Sequence, residues 1–170
     1  MTWRTTLILG GARSGKSRLA QSLAETENGP LTYIATAQAF DIEMAERIAR
    51  HRADRGPRWS TLEAPHDLPR QVAESPADGI LLVDCLTLWL SNRMLANADI
   101  DMEIASLVAA IAKAAGRLIL VSNEVGSGIV PETPLGRTFR DHAGRANQAV
   151  AAVADRVALV VAGLPLWLKG

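Results

Sequence analysis

One eight-residue segment constrains the fold of this chain more than any other. It reads Gly10-Gly11-Ala12-Arg13-Ser14-Gly15-Lys16-Ser17 and fits the pattern G-x-x-x-x-G-K-[ST]. The apolar run Thr5–Leu9 precedes it and predicts a strand, whereas Lys16–Glu25 follows it with the periodicity of a helix. A strand, a glycine-rich turn and a helix in this order form a loop whose backbone N–H groups can surround phosphate groups. The segment therefore predicts a phosphate-binding loop.

Two side chains of this loop and one later acid predict binding of a magnesium–triphosphate complex. The Lys16 ammonium can reach β- and γ-phosphate oxygens, and the Ser17 hydroxyl can ligate Mg²⁺. Asp84 ends the apolar run Gly79–Val83, which is the Walker B arrangement of a buried strand and an acid that holds Mg²⁺ or its water. The loop alone also fits a plain glycine-rich turn with a serine that caps the helix.

Apolar runs that alternate with helical patterns predict the rest of the fold. The predicted strands are Thr5–Leu9, Leu31–Ala35, Ser60–Glu63, Gly79–Val83, Arg117–Ser122 and Arg156–Ala162, with Leu166–Lys169 as a short edge strand. The predicted helices are Lys16–Glu25, Asp41–Arg55, Leu86–Leu95, Asp101–Ala115 and Phe139–Ala154. Apolar strands joined by helices imply an α/β P-loop NTPase fold, with a mostly parallel central sheet and helices on both faces. The 170 residues suit one domain, 1–170.

The loop Glu124–Gly136 is long for a compact α/β domain and is rich in Gly and Pro, which is typical of functional or mobile loops.

Charge and cysteine content exclude several classes of function. Lys plus Arg equals Asp plus Glu at 18 each, so no overall field attracts nucleic acid. The single cysteine, Cys85, excludes an internal disulfide and favours a reducing compartment. The apolar stretch Val157–Leu168 is interrupted by Gly163 and Pro165 and is shorter than the ~20 residues of a spanning helix. We expect a cytoplasmic protein with no nucleic-acid partner and no integral membrane segment.

The predicted helix 41–55 combines a histidine with arginines that lack local partners. Met44, Ile48 and His51 lie on one stripe, at i, i+4 and i+7. Arg52 and Arg55 have no acid four positions earlier, so both are available for an anion. A neutral imidazole is a competent nucleophile toward phosphorus. The same residues also fit a solvated basic helix with one half-buried histidine, and the pattern alone leaves both interpretations open.

Together these segments resemble the adenosylcobinamide kinase/adenosylcobinamide-phosphate guanylyltransferase family (CobU/CobP), bifunctional enzymes of cobalamin biosynthesis. The resemblance covers nearly the whole chain in order, and it is most specific in the histidine helix and in the loop from Asn123 to Pro131. The matching segments are Gly10–Ser17, Tyr33–Ala37, Phe40–Arg55, Trp59–Glu63, Leu81–Thr87, Ser122–Pro131 and Phe139–Gln148.

The resemblance implies two reactions and a set of site residues. First, ATP or GTP phosphorylates adenosylcobinamide; second, GTP transfers GMP to adenosylcobinamide phosphate through a covalent GMP–histidine, for which His51 occupies the family position. The family also implies a homo-oligomer, with a trimer as the suggested state. The implied nucleotide contacts are Gly10, Gly11, Ala12, Arg13, Ser14, Gly15, Lys16, Ser17, Ala35, Thr36, Ala37, Arg52, Ala53, Asp54, Arg55, Glu63 and Asp84.

Three other interpretations stay open at this point. The chain could be an ordinary small-molecule P-loop kinase in which His51 is incidental. It could be a nucleotide-dependent switch whose loop Glu124–Gly136 responds to GTP. It could also be a family member that retains only one of the two activities.

Overall fold

The central element of the fold is a seven-stranded sheet, seen in a computed structural model that describes residues 3–37 and 56–170. The strands are β1 (Thr5–Gly10), β2 (Leu31–Ala35), β3 (Trp59–Glu63), β4 (Ile80–Asp84), β5 (Arg117–Asn123), β6 (Arg156–Val161) and β7 (Leu164–Lys169). The helices are α1 (Lys16–Glu25), α2 (Leu68–Ala73), α3 (Leu86–Leu95), α4 (Ile100–Lys113) and α5 (Pro134–Val153).

The strand order is β3-β2-β4-β5-β1-β6-β7, and every neighbouring pair is parallel except β6 with β7. The antiparallel pair is joined by a two-residue turn in which Ala162 has φ 52° and Gly163 has φ 82°. Two successive left-handed residues match the right-handed twist of a tight hairpin. The mostly parallel α/β sheet predicted from the sequence is confirmed.

Alternate residues of each central strand enter two separate cores. Leu118 and Leu120 of β5 pack in a core that contains α2, α3, α4 and α5. Ile119 and Val121 of the same strand pack on the other face, where Ala20 and Ala24 of α1 lie. A strand covered on both faces has no solvated side, which explains why these strands read as continuous apolar runs rather than as alternating ones.

Several predicted element boundaries were wrong. Helix α5 begins at Pro134 rather than at Phe139, because the Thr133 Oγ1 accepts a hydrogen bond from the Gly136 N at 3.1 Å and Pro134 occupies the first helical position. The preceding loop is therefore shorter than predicted. Strand β7 begins at Leu164 rather than Leu166, directly after the hairpin turn.

Two further helices bear on the sequence predictions. Helix α2 was missed because six residues, with a proline in the first turn, give too little periodicity to detect. The predicted helix Asp41–Arg55 lies outside the described residues.

Among the described residues, no helix combines the length and the apolar character that crossing a membrane requires.

Candidate nucleotide-binding site

The predicted site residues that the structure describes gather at the carboxyl edge of the sheet. Ala35 at the end of β2 lies in register with Glu63 of β3 on one side and with Asp84 of β4 on the other. Gly10 at the end of β1 lies beside Asn123 of β5. This convergence follows from the parallel topology, since parallel strands all end at one edge, where open α/β sheets bind ligands.

The phosphate loop is fastened to the sheet at both ends. The Glu124 N, just after β5, donates to the Gly10 O at 3.0 Å, and the Gly163 N in the β6–β7 turn donates to the Ser14 O at 2.8 Å. At Gly10 a Cβ would overlap the Ser14 Oγ and lie 2.8 Å from the backbone oxygen of Val160, so no larger residue fits. The loop is held in place by backbone contacts that any side chain at Gly10 would disrupt.

The loop also contains left-handed backbone where it enters α1. Gly15, which precedes the helix, has φ 97°, and Arg13 has φ 55°. A non-glycine residue in this region is uncommon, and such conformations concentrate at binding sites. This turn places the first N–H groups of α1, with the positive end of the helix dipole, at the mouth of the loop.

Lys16 is a buried residue, and the described residues offer little to balance its charge. The residue is 9% exposed, and its Nζ donates to the Gly11 O at 3.0 Å. The part of the chain that the structure describes offers it no carboxylate partner. An ammonium has three protons to donate, and burying one without an anion is costly. The Ser14 Oγ is also buried without a hydrogen bond to the described residues. The loop has the donors of an anion site.

Two oxygen side chains at this edge fit a magnesium ion. Ser17 is the second residue of α1 and Asp84 the last of β4; both are half-buried, and neither side chain forms a hydrogen bond or ion pair with a described residue. Residues 3–37 and 56–170 contain no group of three or more His, Cys, Asp or Glu side chains that could hold a metal. Mg²⁺ commonly takes one or two protein oxygens and completes its shell with water and phosphate. The donor set therefore fits Mg²⁺ bound together with a triphosphate.

Thr36 forms a structural clamp that the sequence did not reveal. It is fully buried, and its Oγ1 donates to the Cys85 O at 2.7 Å and accepts from the Cys85 N at 2.8 Å. The Asn92 Nδ2 of α3 donates to the Thr36 O at 2.8 Å. The end of β2 is thus tied to the residue after Asp84, and the Thr36 hydroxyl is already used between two backbone groups.

Cys85 is the nucleophilic residue nearest Asp84 in the chain, yet its surroundings oppose ionisation. Burial, and then the negative charge of Asp84, raise the pKa of the Cys85 thiol to about 11. The residue is 5% exposed. Because the thiolate is the reactive form, Cys85 is a poor candidate for a covalent nucleotide carrier near neutral pH.

The other predicted contacts divide into two sets. Glu63 is exposed at the end of β3, four strand positions from β1 or about 19 Å at the ordinary strand spacing, so it lies too far from Lys16 to contact the same phosphate group. Ala37 is half-buried just beyond Thr36. Outside the described residues lie His51, Arg52, Ala53, Asp54 and Arg55.

Residues from two further segments meet at the end of β5. The Asn123 N donates to the Thr87 Oγ1 of α3 at 2.7 Å, and the Asn123 O accepts from the Asn147 Nδ2 of α5 at 3.2 Å. Sequence reasoning noted both segments in the resemblance but assigned them no role. The sequence around Asn147, a helical face rich in small residues, does not predict this hydrogen bond. Only the packing of α5 against β5 brings the two asparagines together.

The sheet order, the crossover helices and the phosphate loop define a P-loop nucleotide-binding α/β protein. Two solved structures share this fold at low sequence identity. A protein from Pyrococcus horikoshii OT3 matches with a TM-score of 0.55 at 12% identity, over 98% of this chain and 86% of its own. The P4 protein of bacteriophage phi6, solved in complex with ADP, matches with a TM-score of 0.51 at 13% identity, over 97% of this chain and 53% of its own.

Within that class, the chain belongs to the CobU family, described as cobinamide kinase / cobinamide phosphate guanyltransferase, whose model matches residues 6–168. It is 52% identical over 167 residues to the bifunctional adenosylcobalamin biosynthesis protein CobP of Pseudomonas aeruginosa, and the match covers 96% of each chain. It is 40% identical over 179 residues to the corresponding CobU protein of Escherichia coli, covering 96% of this chain and 98% of the other. The family resemblance seen in the sequence is confirmed.

Proposed function

We propose that this protein phosphorylates adenosylcobinamide with ATP or GTP and then transfers GMP from GTP to adenosylcobinamide phosphate. The products of the second step are adenosylcobinamide-GDP and pyrophosphate. The observation that carries the proposal is the family match over residues 6–168, combined with a phosphate loop whose buried Lys16 has no carboxylate partner among the described residues. Both reactions need a bound triphosphate, so one loop can serve both.

From the positions of the described residues, we assign different parts of the nucleotide to different strands. The loop Gly10–Ser17 and the start of α1 hold the β- and γ-phosphates, with Lys16 as the point charge. Glu63, on the far side of β2, would contact the nucleoside end, together with backbone groups of Ala35, Thr36 and Ala37. This arrangement runs the nucleotide along the carboxyl edge of the sheet.

Mg²⁺ would be held by the Ser17 hydroxyl and the Asp84 carboxylate. When bound, the ion supplies electrostatic stabilisation of charge on the phosphate oxygens. The protein's own contribution is Lys16 and the loop N–H groups, which neutralise charge that develops on the leaving phosphates.

In guanylyl transfer, we assign His51 as the nucleophile. One imidazole nitrogen attacks the α-phosphorus, the bond from that phosphorus to the α–β bridging oxygen breaks, and pyrophosphate leaves with the bonding electrons. A phosphate oxygen of the acceptor then attacks the same phosphorus and releases the histidine. Arg52 and Arg55 would neutralise the α-phosphate. Ala53 and Asp54 would also contact the nucleotide.

A homo-oligomer, with a trimer as the family's suggested state, is part of the proposal. Support comes from Leu164, Leu166 and Leu168, which are 72%, 58% and 58% exposed. They alternate along β7 and therefore lie on one face of a strand at the edge of the sheet. An exposed apolar face beside a free strand edge favours association.

The test is the intact mass of the protein after incubation with GTP and Mg²⁺. We expect one added GMP per chain, stable in base and labile in acid as a phosphoramidate is. The variant His51→Ala should lose the adduct and guanylyl transfer but keep phosphorylation of adenosylcobinamide. His66→Ala and His142→Ala replace the chain's two other histidines and serve as matched controls.

The same experiment separates the alternatives. An ordinary small-molecule kinase would phosphorylate the acceptor and leave no nucleotide on the protein. A nucleotide-dependent switch would hydrolyse GTP or change conformation without an acceptor. An adduct that maps to another residue would remove His51 from the mechanism.

A further inference from the structure

Glu124 lies between the phosphate loop and Asp84 at the carboxyl edge of the sheet. It is the first residue after β5, and β5 lies between β1, which leads into the phosphate loop, and β4, which ends in Asp84. Its backbone N donates to the Gly10 O at 3.0 Å, so Glu124 lies next to the first residue of the phosphate loop. No other acidic residue in the described part of the chain has its backbone bonded to the loop in this way.

The position of Glu124 is set by neighbours on both sides. Asn123, which precedes it, is held by the Thr87 Oγ1 through its N at 2.7 Å and by the Asn147 Nδ2 through its O at 3.2 Å. Together with the bond to Gly10, these contacts connect the junction to α3, to α5 and to β1. A catalytic group must be held to within about half an ångström, and a backbone fixed by three hydrogen bonds provides such support.

The Glu124 carboxylate has no cationic partner among the described residues. It is half-buried, and its Oε1 accepts from the Gly126 N at 2.6 Å and lies 3.5 Å from the Ser127 Oγ. Residues 3–37 and 56–170 place no Lys, Arg or His within ion-pair distance of it. A carboxylate beside an anion-binding loop repels phosphates, so nucleotide affinity does not account for its presence there.

The chemistry of the first reaction benefits from a group of this kind. An alcohol, like water, loses its proton only far above neutral pH, so phosphorylation is assisted by a base that removes the proton as the new bond forms. The second reaction has no such requirement, because its acceptor is a phosphate monoester that has already lost its protons near neutral pH. A general base would thus serve one of the two reactions only.

We propose that Glu124 is the general base for phosphorylation of the acceptor hydroxyl. This inference rests on the proposed function and deepens it. The hydroxyl oxygen forms a bond to the γ-phosphorus, its proton passes to a Glu124 carboxylate oxygen, and the bond from the γ-phosphorus to the β–γ bridging oxygen breaks. The nucleoside diphosphate leaves with that electron pair, and the protonated carboxyl later releases its proton to water.

The test compares the two reactions in Glu124→Gln, which keeps the shape of the side chain and the acceptor oxygen for the Gly126 N. We expect single-turnover phosphorylation of adenosylcobinamide to slow by roughly 10²–10⁴-fold, the usual range for loss of a general base, with little change in KM. Guanylyl transfer to separately supplied adenosylcobinamide phosphate should stay close to the wild-type rate. Glu124→Asp, which keeps a carboxylate, should retain more kinase activity than Glu124→Gln.

Glu132→Gln is the matched control, because Glu132 is an exposed acid in the same loop. It should leave both reactions unchanged. Equal slowing of both reactions in Glu124→Gln would show that Glu124 only shapes its loop through the Gly126 N, and an unchanged kinase rate would show that it is not the base. Failure of the proposed function is a separate result, since the wild-type protein would then catalyse neither reaction.

Discussion

The amino and carboxyl edges of the central sheet differ in whether their charged side chains have partners. At the amino edge, Arg117 forms an ion pair with Glu27 and lies 5.1 Å from the ring centre of Trp3. Arg156 lies 4.0 Å from the ring centre of Trp167 and 5.9 Å from that of Trp3.

At the carboxyl edge, by contrast, two charged groups lack an opposite charge among the described residues, and one buried hydroxyl lacks a hydrogen bond. Lys16 is buried without an acid, Glu124 is half-buried without a base, and the Ser14 Oγ has no hydrogen bond. Folding alone favours paired charges, so unpaired charges beside the phosphate loop indicate a ligand site. The comparison predicts that substitutions at the carboxyl edge change activity more than stability, and that substitutions at the amino edge do the reverse.

The largest expected effect is that of Lys16→Ala. Both reactions should slow by at least the order of 10²–10³-fold, because each needs charge stabilisation on the β- and γ-phosphates. The free energy of unfolding should not fall, since the substitution removes a poorly compensated buried charge. Rates and urea unfolding curves measure the two quantities, with Lys113→Ala at the exposed end of α4 as the control. An unfolded Lys16→Ala would break the comparison.

Asp84→Asn should slow Mg²⁺-dependent turnover by at least the order of 10²-fold, because a neutral amide is a weaker ligand for a hard cation. Nucleotide binding without Mg²⁺, measured by calorimetry, should change little. Asp78→Asn is a control in the turn just before the same strand, where the residue is exposed. If Asp84→Asn weakens binding equally with and without Mg²⁺, Asp84 has a structural role.

Gly15→Ala tests whether the loop geometry itself is required. A Cβ would lie 3.2 Å from the Gly163 Cα on a residue with φ 97°, so the variant should lose about 1–2 kcal/mol of stability and bind nucleotide more weakly. Gly11→Ala is the matched control for stability, because a Cβ there meets nothing within 4 Å. Denaturant unfolding that ranks the two variants equally would contradict the role assigned to the left-handed turn.

Asp155 provides a pH test at the amino edge. Hydrogen bonds from the Thr5 N and the Arg4 N, both 2.8 Å long, lower the pKa of its carboxyl. A lowered pKa stabilises the fold above the ordinary value near pH 4, and this contribution is lost as the pH falls through the folded-state pKa. Asp155→Asn should cost about 1 kcal/mol at pH 7, a modest figure because the side chain is exposed.

In the Asp155→Asn variant, stability should also fall less steeply below pH 4 than in the wild type. Thermal melts between pH 3 and 7 provide the measurement, and both enzymatic rates should be unchanged. Parallel pH profiles for variant and wild type would show that this carboxylate does not fasten β1 to the start of β6.

The smallest expected effect is that of Arg156→Met, which keeps an apolar stem but removes the guanidinium between Trp3 and Trp167. A partly exposed cation–π contact contributes about 0.5–1 kcal/mol, so the melting temperature should fall by a few degrees. Kinase and guanylyltransferase rates should be unchanged. A loss of activity without a loss of stability would reverse the contrast between the two edges.

Local sequence predicted much of the fold and the phosphate loop of the candidate site. The sequence predicted the phosphate loop, the strand that ends in Asp84 and the parallel sheet, because glycine positions and apolar runs depend on local backbone geometry and burial. Helix boundaries were harder to predict. The start of α5 depends on whether Thr133 caps the helix, and nearby threonines and serines compete for that role.

The motifs of the chain predicted on their own a phosphate-binding loop and the family to which the chain belongs. Tertiary structure decided the rest: that β5 lies between β1 and β4, that the Gly163 turn supports the phosphate loop, and that Thr36 uses its hydroxyl to clamp Cys85. The reason is physical. Glycine freedom and hydrophobic periodicity act over a few residues, whereas strand order and the pairing of polar groups depend on residues about 40 to 150 positions apart, whose contact only the folded chain creates.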